Sequence, residues 1–302
     1  MPQALSSTDA RGLVTAVVDR LRGSGTPTAR LDAELLVAHA FGRDRAWLAA
    51  HPEATAGTAE LASQGEWVER RAAGEPIAYI RGFKEWLSLR VAVDHRALIP
   101  RPETELLAEA AIDEIARRLV RDVEPIAAWE VATGSGAVTL ALATRFRTAI
   151  ALGRVRLAAS DISAEALELA SENLAAHGVA ASVALGCGDL LAPAVLPAPL
   201  QPDVVIANLP YLTTEEASAG TGSLRYEPAA ALDGGSDGLD VIRRLLAELP
   251  ARLAAGGVAL LEIGAGQADA VRAMVEEMPM EADVGMLADL AGIERVARID
   301  RT

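Results

Sequence analysis

One short stretch constrains most strongly how this chain can fold. Asp203–Ala207 is a β-branched run of the kind found in buried parallel strands. Asn208, Leu209, Pro210 and Tyr211 follow it, and Pro210 cannot continue a hydrogen-bonded ladder, so the strand must end there. Ligands of open α/β sheets bind beyond the carboxyl ends of the strands. We therefore expect Asn208 and Tyr211 to stand at the mouth of a binding crevice.

Similar apolar runs alternate with helical spacing through the rest of the chain after about residue 98. This alternation predicts an α/β fold with a buried, mostly parallel sheet. The predicted strands are Ile126–Val131, Val155–Ser160, Val183–Leu190 with its loop, Asp203–Ala207, Val258–Ile263, Ala282–Met286 and Glu294–Ile299. Glu103 and Glu105 indicate the first turn of a helix that precedes the first of these strands, because negative charge is favourable in the first turn of a helix.

The amino-terminal part has a different pattern. Apolar residues recur at helical intervals from Leu13 to Leu48, and another helix is predicted from Thr58 to Ala73. We predict a helical domain over 1–74 with a packing or partner-docking role. Two short alternating runs around 82–85 predict a β-hairpin linker over 75–97, so the sheet domain is predicted to cover 98–302.

Composition excludes several classes of protein. The chain has 302 residues and a net charge of −14, which argues against stable binding of long nucleic acid through its phosphates. Cys187 is the only cysteine, which excludes an internal disulfide and a cysteine-rich zinc site, and we expect it to be a packed residue. No apolar stretch is long enough for a membrane span, and residues 1–6 lack the features of a signal peptide. We therefore expect a cytoplasmic protein.

A glycine turn follows the first predicted strand of the sheet. Ala132–Gly136 contains two glycines and leads into a helix, so the backbone can approach a ligand closely. A dinucleotide fingerprint would have a third glycine where Thr139 stands, which weakens that interpretation. Glu130 at the end of the strand would repel a pyrophosphate, but it suits the ammonium group of an amino-acid-like cofactor.

Two further acids follow predicted strands. Asp161 lies 25 residues after Gly136, near the spacing of a carboxylate that binds ribose hydroxyls, although it could instead cap the next helix. Asp189 could accept a hydrogen bond from the exocyclic amine of adenine while Leu190 covers the ring, but a single loop aspartate is also a common turn residue. The Asn208 side chain and a freed carbonyl could hold both hydrogens of a planar NH2 group, with Tyr211 stacked on its face. That arrangement selects an amide or an amino-purine.

The order of these features resembles the class I S-adenosylmethionine-dependent methyltransferases. Four further motifs are similar to the release-factor glutamine methyltransferases of the HemK type, and they lie at Gly74–Tyr79, Leu98–Glu105, Tyr226–Pro228 and Ala231–Leu239. The resemblance covers nearly the full length. It implies a Rossmann-like seven-stranded sheet and methylation of the glutamine side-chain nitrogen in the Gly-Gly-Gln motif of peptide chain release factors.

The resemblance also implies roles for individual residues. Asn208 and Tyr211 would be catalytic, and Asn208–Tyr211 would bind the substrate without any metal. Three positions depart from the family pattern, which usually has Asp, Gly and Pro where Glu130, Ala132 and Leu209 stand. S-adenosylmethionine would be bound by Glu130, Ala132, Thr133, Gly134, Ser135, Gly136, Asp161, Asp189, Leu190 and Asn208.

Other functions remain open at this point. The Asn-Leu-Pro-Tyr form also occurs in ribosomal-RNA dimethyladenosine transferases, so an adenine-N6 methyltransferase acting on RNA or DNA is the first alternative. A non-catalytic cofactor-binding or interaction protein is the second, because Ala132 and Leu209 depart from the pattern. A nicotinamide dehydrogenase is a distant alternative, since the third glycine is missing.

Overall fold

The computed structural model describes residues 9–192, 201–220 and 222–302. Residues 1–6, whose sequence carried the expectation that there is no signal peptide, lie outside the described residues. The chain forms two compact units. The first runs to Phe83 and includes the segment that ends at Tyr226, and the second contains Lys84–Gly220 and Glu227–Thr302.

The first unit is helical, as the amino-terminal periodicity predicted. Asp9 caps the first helix by accepting a hydrogen bond from the Gly12 N–H at 2.7 Å. Leu13 and Leu36 are fully buried in the apolar core that the helices share. The helices are α1 (Ala10–Gly23), α2 (Ala29–Ala40), α3 (Arg45–Ala50), α4 (Thr58–Ala72) and α5 (Ile77–Arg81).

The predicted hairpin exists, but its turn lies further along the chain. Ile77–Arg81 is the helix α5, preceded by Pro76 and followed by Gly82 at φ 74°. Five residues are too few for their spacing to separate helix from strand, whereas proline before and glycine after are typical helix boundaries. The hairpin strands are β1 (Phe83–Trp86) and β2 (Leu89–Ala92). Leu87 and Ser88 lie in the turn with φ of 44° and 60°, so the two strands flank 87–88 and not 82–85, around which the sequence shows its alternating runs.

The second unit alternates strands with helices. Its helices are α6 (Glu103–Arg121), α7 (Ala137–Arg145), α8 (Arg147–Ala151), α9 (Ala164–Ala176), α10 (Thr214–Ala219), α11 (Asp240–Arg252) and α12 (Ala268–Glu276). Its strands are β3 (Ile126–Val131), β4 (Val155–Asp161), β5 (Val183–Cys187), β6 (Val204–Asn208), β7 (Val258–Glu262), β8 (Ala282–Ala288) and β9 (Glu294–Arg301). Glu103 and Glu105 lie in the first turn of α6, as predicted.

These strands form one seven-stranded sheet in the order β5-β4-β3-β6-β7-β9-β8. The first five strands in this order are parallel, and β9 pairs antiparallel with both β7 and β8. Strands β3 and β7 are buried along their whole length, which explains why they read as continuous apolar runs. The order of the strands reverses between β3 and β6, and this is the position where open α/β sheets bind ligands. The predicted α/β, Rossmann-like sheet and small helical region are therefore confirmed.

Two expectations from composition have different outcomes. Cys187 is exposed at the end of β5, so the prediction that it is packed is wrong. Its spacing placed it in a strand, but β5 is an edge strand of the sheet and leaves more of its side chains accessible. Among the helices of the described residues, none combines the length and apolar character required to cross a membrane.

Candidate functional site

A cavity of about 570 Å³ lies at the carboxyl ends of β3, β4 and β6. This volume is within the range of small-molecule sites, about 300–1,000 Å³. Gly136 and Tyr211 are not among the lining residues. The predicted site residues that line the cavity are Glu130, Ala132, Thr133, Gly134, Ser135, Asp161, Asp189, Leu190, Asn208, Leu209 and Pro210.

The glycine turn has the left-handed backbone that its composition indicated. Gly134 and Gly136 have φ of 54° and 76°. A Cβ added at Gly136 would lie 2.9 Å from the Cβ of Ala170 on α9, so this glycine also permits close packing of the helix. Gly136 therefore supports the turn without lining the cavity.

Two non-glycine residues at the cavity also have left-handed backbone. Ala132 has φ 54° and Leu190 has φ 45°. Such conformations cost an L-residue roughly 1–2 kcal/mol and cluster at functional sites. At Ala132 the family usually has glycine, which adopts this backbone without the penalty. The departure noted in the sequence therefore introduces local strain at a residue that lines the cavity.

Glu130 is buried at the end of β3 and is bound by the start of α7. Its Oε2 accepts hydrogen bonds from the Thr133 hydroxyl at 2.7 Å, the Thr139 N–H at 2.9 Å and the Thr139 hydroxyl. Thr139, which replaces the third glycine of a dinucleotide fingerprint, therefore anchors the carboxylate. Burial raises the pKa of Glu130 to about 7 in spite of these donors.

Replacement of Glu130 by glutamine should change how stability depends on pH. The folded-state pKa of Glu130 is above its ordinary value, so its contribution to stability is fully present below about 4.5 and is lost as the pH rises through about 7. Glutamine does not titrate and keeps an acceptor for the same donors. The free energy of unfolding of Glu130→Gln relative to wild type should therefore rise between pH 5 and 8, by up to about 3 kcal/mol.

Urea unfolding at several pH values measures this difference. Glu168→Gln, at an exposed position on α9 outside the cavity lining, is the control for the loss of one carboxylate from the chain. A Glu130→Gln difference that stays flat over this range would show that the buried carboxyl does not titrate there.

Asp161 lines the cavity but does not cap the next helix. Its Oδ1 accepts from the Ser163 N–H at 2.9 Å and its Oδ2 accepts from the Gly134 N–H at 2.8 Å. Ser163, rather than Asp161, is the cap of α9. Burial raises the pKa of Asp161. The side chain thus joins the end of β4 to the glycine turn while it lines the cavity.

Every described arginine that lines the cavity forms an ion pair with a carboxylate. Arg96 pairs with Asp94 and Glu172, Arg101 pairs with Glu227, and Arg244 pairs with Asp189. The sequence did not indicate the Arg244–Asp189 pair, because the two residues lie on α11 and in the loop after β5. No described cation pairs with Glu130 or Asp161, so the lining favours a cationic ligand over a phosphate.

Asn208 ends β6 with one side of its amide already occupied. Its Nδ2 donates to the Thr104 hydroxyl on α6 at 3.1 Å. Within the described part of the chain, neither its Oδ1 nor the Leu209 carbonyl is occupied by a protein donor. Asn208, Leu209 and Pro210 all line the cavity, so the two acceptors that the sequence predicted lie at one place.

Tyr211 lies away from the cavity. A Cβ added at Gly264 would lie 3.2 Å from its Cδ2, so the ring lies beside the loop after β7. Its carbonyl accepts from the Gln267 side chain at 3.1 Å. Burial raises the pKa of the Tyr211 hydroxyl. Its predicted stacking on a substrate therefore stays a prediction.

An ion pair joins two segments that contribute residues to the lining of the cavity. The Glu227 carboxylate is fully buried and accepts from Arg101 at 2.6 Å and from the Ile99 N–H at 3.0 Å. Both segments contain family motifs of the sequence, but the motifs do not indicate that they pair. Arg101 is the only cation of the first motif and Glu227 the only charge of the second, but their separation of 126 residues hides the pairing.

Comparisons with known proteins show relatives over nearly the whole chain. A family model described as the PrmC N-terminal domain matches residues 13–82. The chain is 36% identical to the release factor glutamine methyltransferase of Bordetella pertussis over 94% of this chain and 98% of that protein. It is 38% identical to the release factor glutamine methyltransferase of Deinococcus radiodurans, over 96% of this chain and 98% of that protein.

Solved structures show the same fold at much lower identity. The catalytic domain of hMettl16 in complex with MAT2A 3'UTR hairpin 1 is 12% identical, with a TM-score of 0.55 and coverage of 81% of each chain. At that identity the similarity concerns the fold alone. Because its relatives exceed 30% identity and align over nearly their full length, this chain belongs to the release factor glutamine methyltransferase family.

Proposed function

We propose that this protein transfers a methyl group from S-adenosylmethionine to the side-chain amide nitrogen of the glutamine in the Gly-Gly-Gln motif of peptide chain release factors. One observation carries the proposal. Asn208 Oδ1 and the Leu209 carbonyl are two acceptors to which no described residue donates, at a cavity with an acidic lining. Two acceptors match the two hydrogens of a primary amide.

The residues of the cavity fit the cofactor. S-adenosylmethionine carries a sulfonium and an ammonium group. The carboxyl groups of Glu130 and Asp161, which pair with no cation among the described residues, favour such a ligand. Glu130 and the turn from Ala132 to Gly134 would hold its amino-acid part. Asp161 would accept hydrogen bonds from the ribose hydroxyls, while Asp189 and Leu190 would contact adenine. When bound, the cofactor supplies an electrophilic methyl group.

The protein's own contribution is to position a weak nucleophile. An amide nitrogen attacks poorly, because its lone pair is delocalised into the carbonyl group. Acceptors at Asn208 and Leu209 would orient the NH2 group toward the methyl group and stabilise the positive charge that develops on nitrogen. No side chain is required as a general base, since the proton can leave after the transfer.

The helical segment is the proposed binding region for the substrate protein. Residues 1–74 carry no cluster of chemistry-bearing side chains in the sequence, and residues 13–82 match a domain model specific to this kind of protein. We propose the division into 1–74, a linker over 75–97 and a methyltransferase domain over 98–302. A cytoplasmic location follows from the proposed substrate, because release factors act on ribosomes.

Adenine-N6 methylation of RNA or DNA is the second candidate function. The Asn208–Tyr211 motif favours it, because the same acceptors could hold the exocyclic amine of adenine. The net charge of −14 opposes it, since a nucleic-acid substrate needs a positive contact surface.

A competition experiment distinguishes the two functions. The protein is incubated with methyl-labelled S-adenosylmethionine, an unmethylated release factor, and RNA and DNA in the same reaction. Mass spectrometry should find one added methyl group on the glutamine of Gly-Gly-Gln and none on the nucleic acids. A release factor whose motif glutamine is replaced by alanine is the control and should stay unlabelled. Label on adenine, or on no substrate at all, would refute the proposal.

A further inference from the structure

Thr104 is a buried residue of α6 that contacts the candidate catalytic amide directly. Its hydroxyl oxygen accepts the hydrogen bond from Asn208 Nδ2 at 3.1 Å. Thr104 belongs to the segment Leu98–Glu105, whose sequence indicates a helix start and a family motif but no role for the threonine. Thr104 lines the same cavity as Asn208.

Glu262 is the residue directly opposite Asn208 on the neighbouring strand. Asn208 and Glu262 pair in register where β6 and β7 end. Only 1% of Glu262 is exposed, and its Oε2 has no hydrogen-bond partner among the described residues. Burial raises the pKa of Glu262 to about 7, and a hydrogen bond with Thr104 opposes that rise. The Glu262 carboxyl is therefore within reach of the Thr104 hydroxyl.

The chemistry of these groups determines which way the Asn208 amide faces. A threonine hydroxyl has a single hydrogen to donate and two lone pairs that accept. When that hydrogen is directed to Glu262, the hydroxyl can only accept from Asn208. The Nδ2 group then faces Thr104, and Oδ1 faces the other way. An Asn208 amide rotated by half a turn would present donors to the NH2 group of a substrate, which is itself a donor.

We propose that Thr104 is a positioning residue for Asn208, kept in its accepting role by Glu262, so that Asn208 Oδ1 is directed toward the substrate nitrogen. The predicted effect of Thr104 on the rate of methylation rests on the proposed function. The orientation of the amide does not depend on that function and is measured separately.

Kinetics of Thr104 variants test the proposal. Thr104→Val keeps the shape of the side chain but removes the acceptor, and it should lower kcat by about 10- to 100-fold with KM for the release factor within about twofold. Thr104→Ser restores the hydroxyl and should recover kcat to within about threefold of wild type. Thr104→Ala should be as slow as the valine variant and replaces it if the latter does not fold.

Thr144→Val is the matched control. The Thr144 hydroxyl is buried on α7 without a hydrogen-bond partner among the described residues, so its removal should leave kcat unchanged. A Thr104→Val enzyme with wild-type kcat would overturn the proposal. A serine variant as slow as the valine variant would also overturn it, because the role would then be one of shape.

Nitrogen-15 NMR of the asparagine side chains provides the second measurement. The chain contains only two asparagines, so Asn208 is assigned by loss of its signal in Asn208→Asp. The hydrogen-bonded proton of its NH2 group should resonate downfield and exchange slowly in wild type and Thr104→Ser, and it should lose both features in Thr104→Val. Identical signals in all three proteins would overturn the proposal. If the wild type shows this signature but methylates no release factor, the proposed function fails while the positioning role stands.

Discussion

Asn208→Ala should lower kcat for methylation of the release factor by about 10²- to 10³-fold. The structure provides two acceptors for the substrate NH2 group, Asn208 Oδ1 and the Leu209 carbonyl, and the variant removes one of them. Loss of one preorganised group that stabilises developing charge costs about this much in kcat. The remaining carbonyl would hold one hydrogen only, so the nitrogen lone pair would no longer be directed toward the methyl group.

Binding of S-adenosylmethionine is the internal control for this variant. Most of the proposed cofactor contacts come from the glycine turn and from Asp161 and Asp189, which the substitution does not touch. Isothermal calorimetry should therefore give a Kd within about tenfold of wild type, or about 1.4 kcal/mol. Methylation at close to the wild-type rate would eliminate Asn208 as a catalytic residue. Complete loss of cofactor binding would instead assign the residue to the cofactor site.

Gly234→Ala should disrupt the cavity although Gly234 does not line it. Gly234 donates to the Leu212 carbonyl at 2.8 Å, and its own carbonyl accepts from the Asp240 N–H. A Cβ on Gly234 would lie 2.6 Å from the Pro210 carbonyl oxygen and 2.7 Å from that of Gly238. Both contacts are with backbone, which cannot rotate away as a side chain can. The substitution must therefore displace the segment that carries Pro210.

We expect Gly234→Ala to lower kcat more than tenfold and to reduce the free energy of unfolding by about 1–3 kcal/mol, as overpacking does. Release-factor methylation and urea unfolding measure the two effects. Far-UV circular dichroism should remain that of wild type, because the displaced segment lies outside the main helices and strands.

Gly285→Ala is the matched control for this substitution. Gly285 lies in β8, and a Cβ there would meet no atom within 4 Å. Its backbone is also not left-handed, so alanine should leave kcat unchanged and stability equal or slightly higher. If Gly234→Ala behaved like this control, the segment around Pro210 would be more adaptable than the close backbone contacts indicate.

The sequence alone determined most elements of the sheet domain and eleven of the residues that line the cavity. Helical spacing located α1, α2 and α4, and short apolar runs located the seven strands of the sheet, because both signals depend on residues that are close in the chain. The positions of Glu130, Asp161 and Asn208 at strand ends followed from the same signals, since parallel strands present their carboxyl ends at one edge of the sheet.

Only the tertiary structure decided which partners these side chains have. Thr104 and Asn208 are 104 residues apart in the chain, Arg101 and Glu227 are 126 apart, and no local pattern relates the members of either pair. The hairpin turn at Leu87–Ser88 was missed for a related reason. Its strands pack through Trp86, whose indole donates to the Arg101 carbonyl at 2.9 Å, so a distant contact contributes to the register that the turn residues do not reveal. Local periodicity determines which elements form, whereas the orientation of a polar side chain depends on groups that only folding brings together.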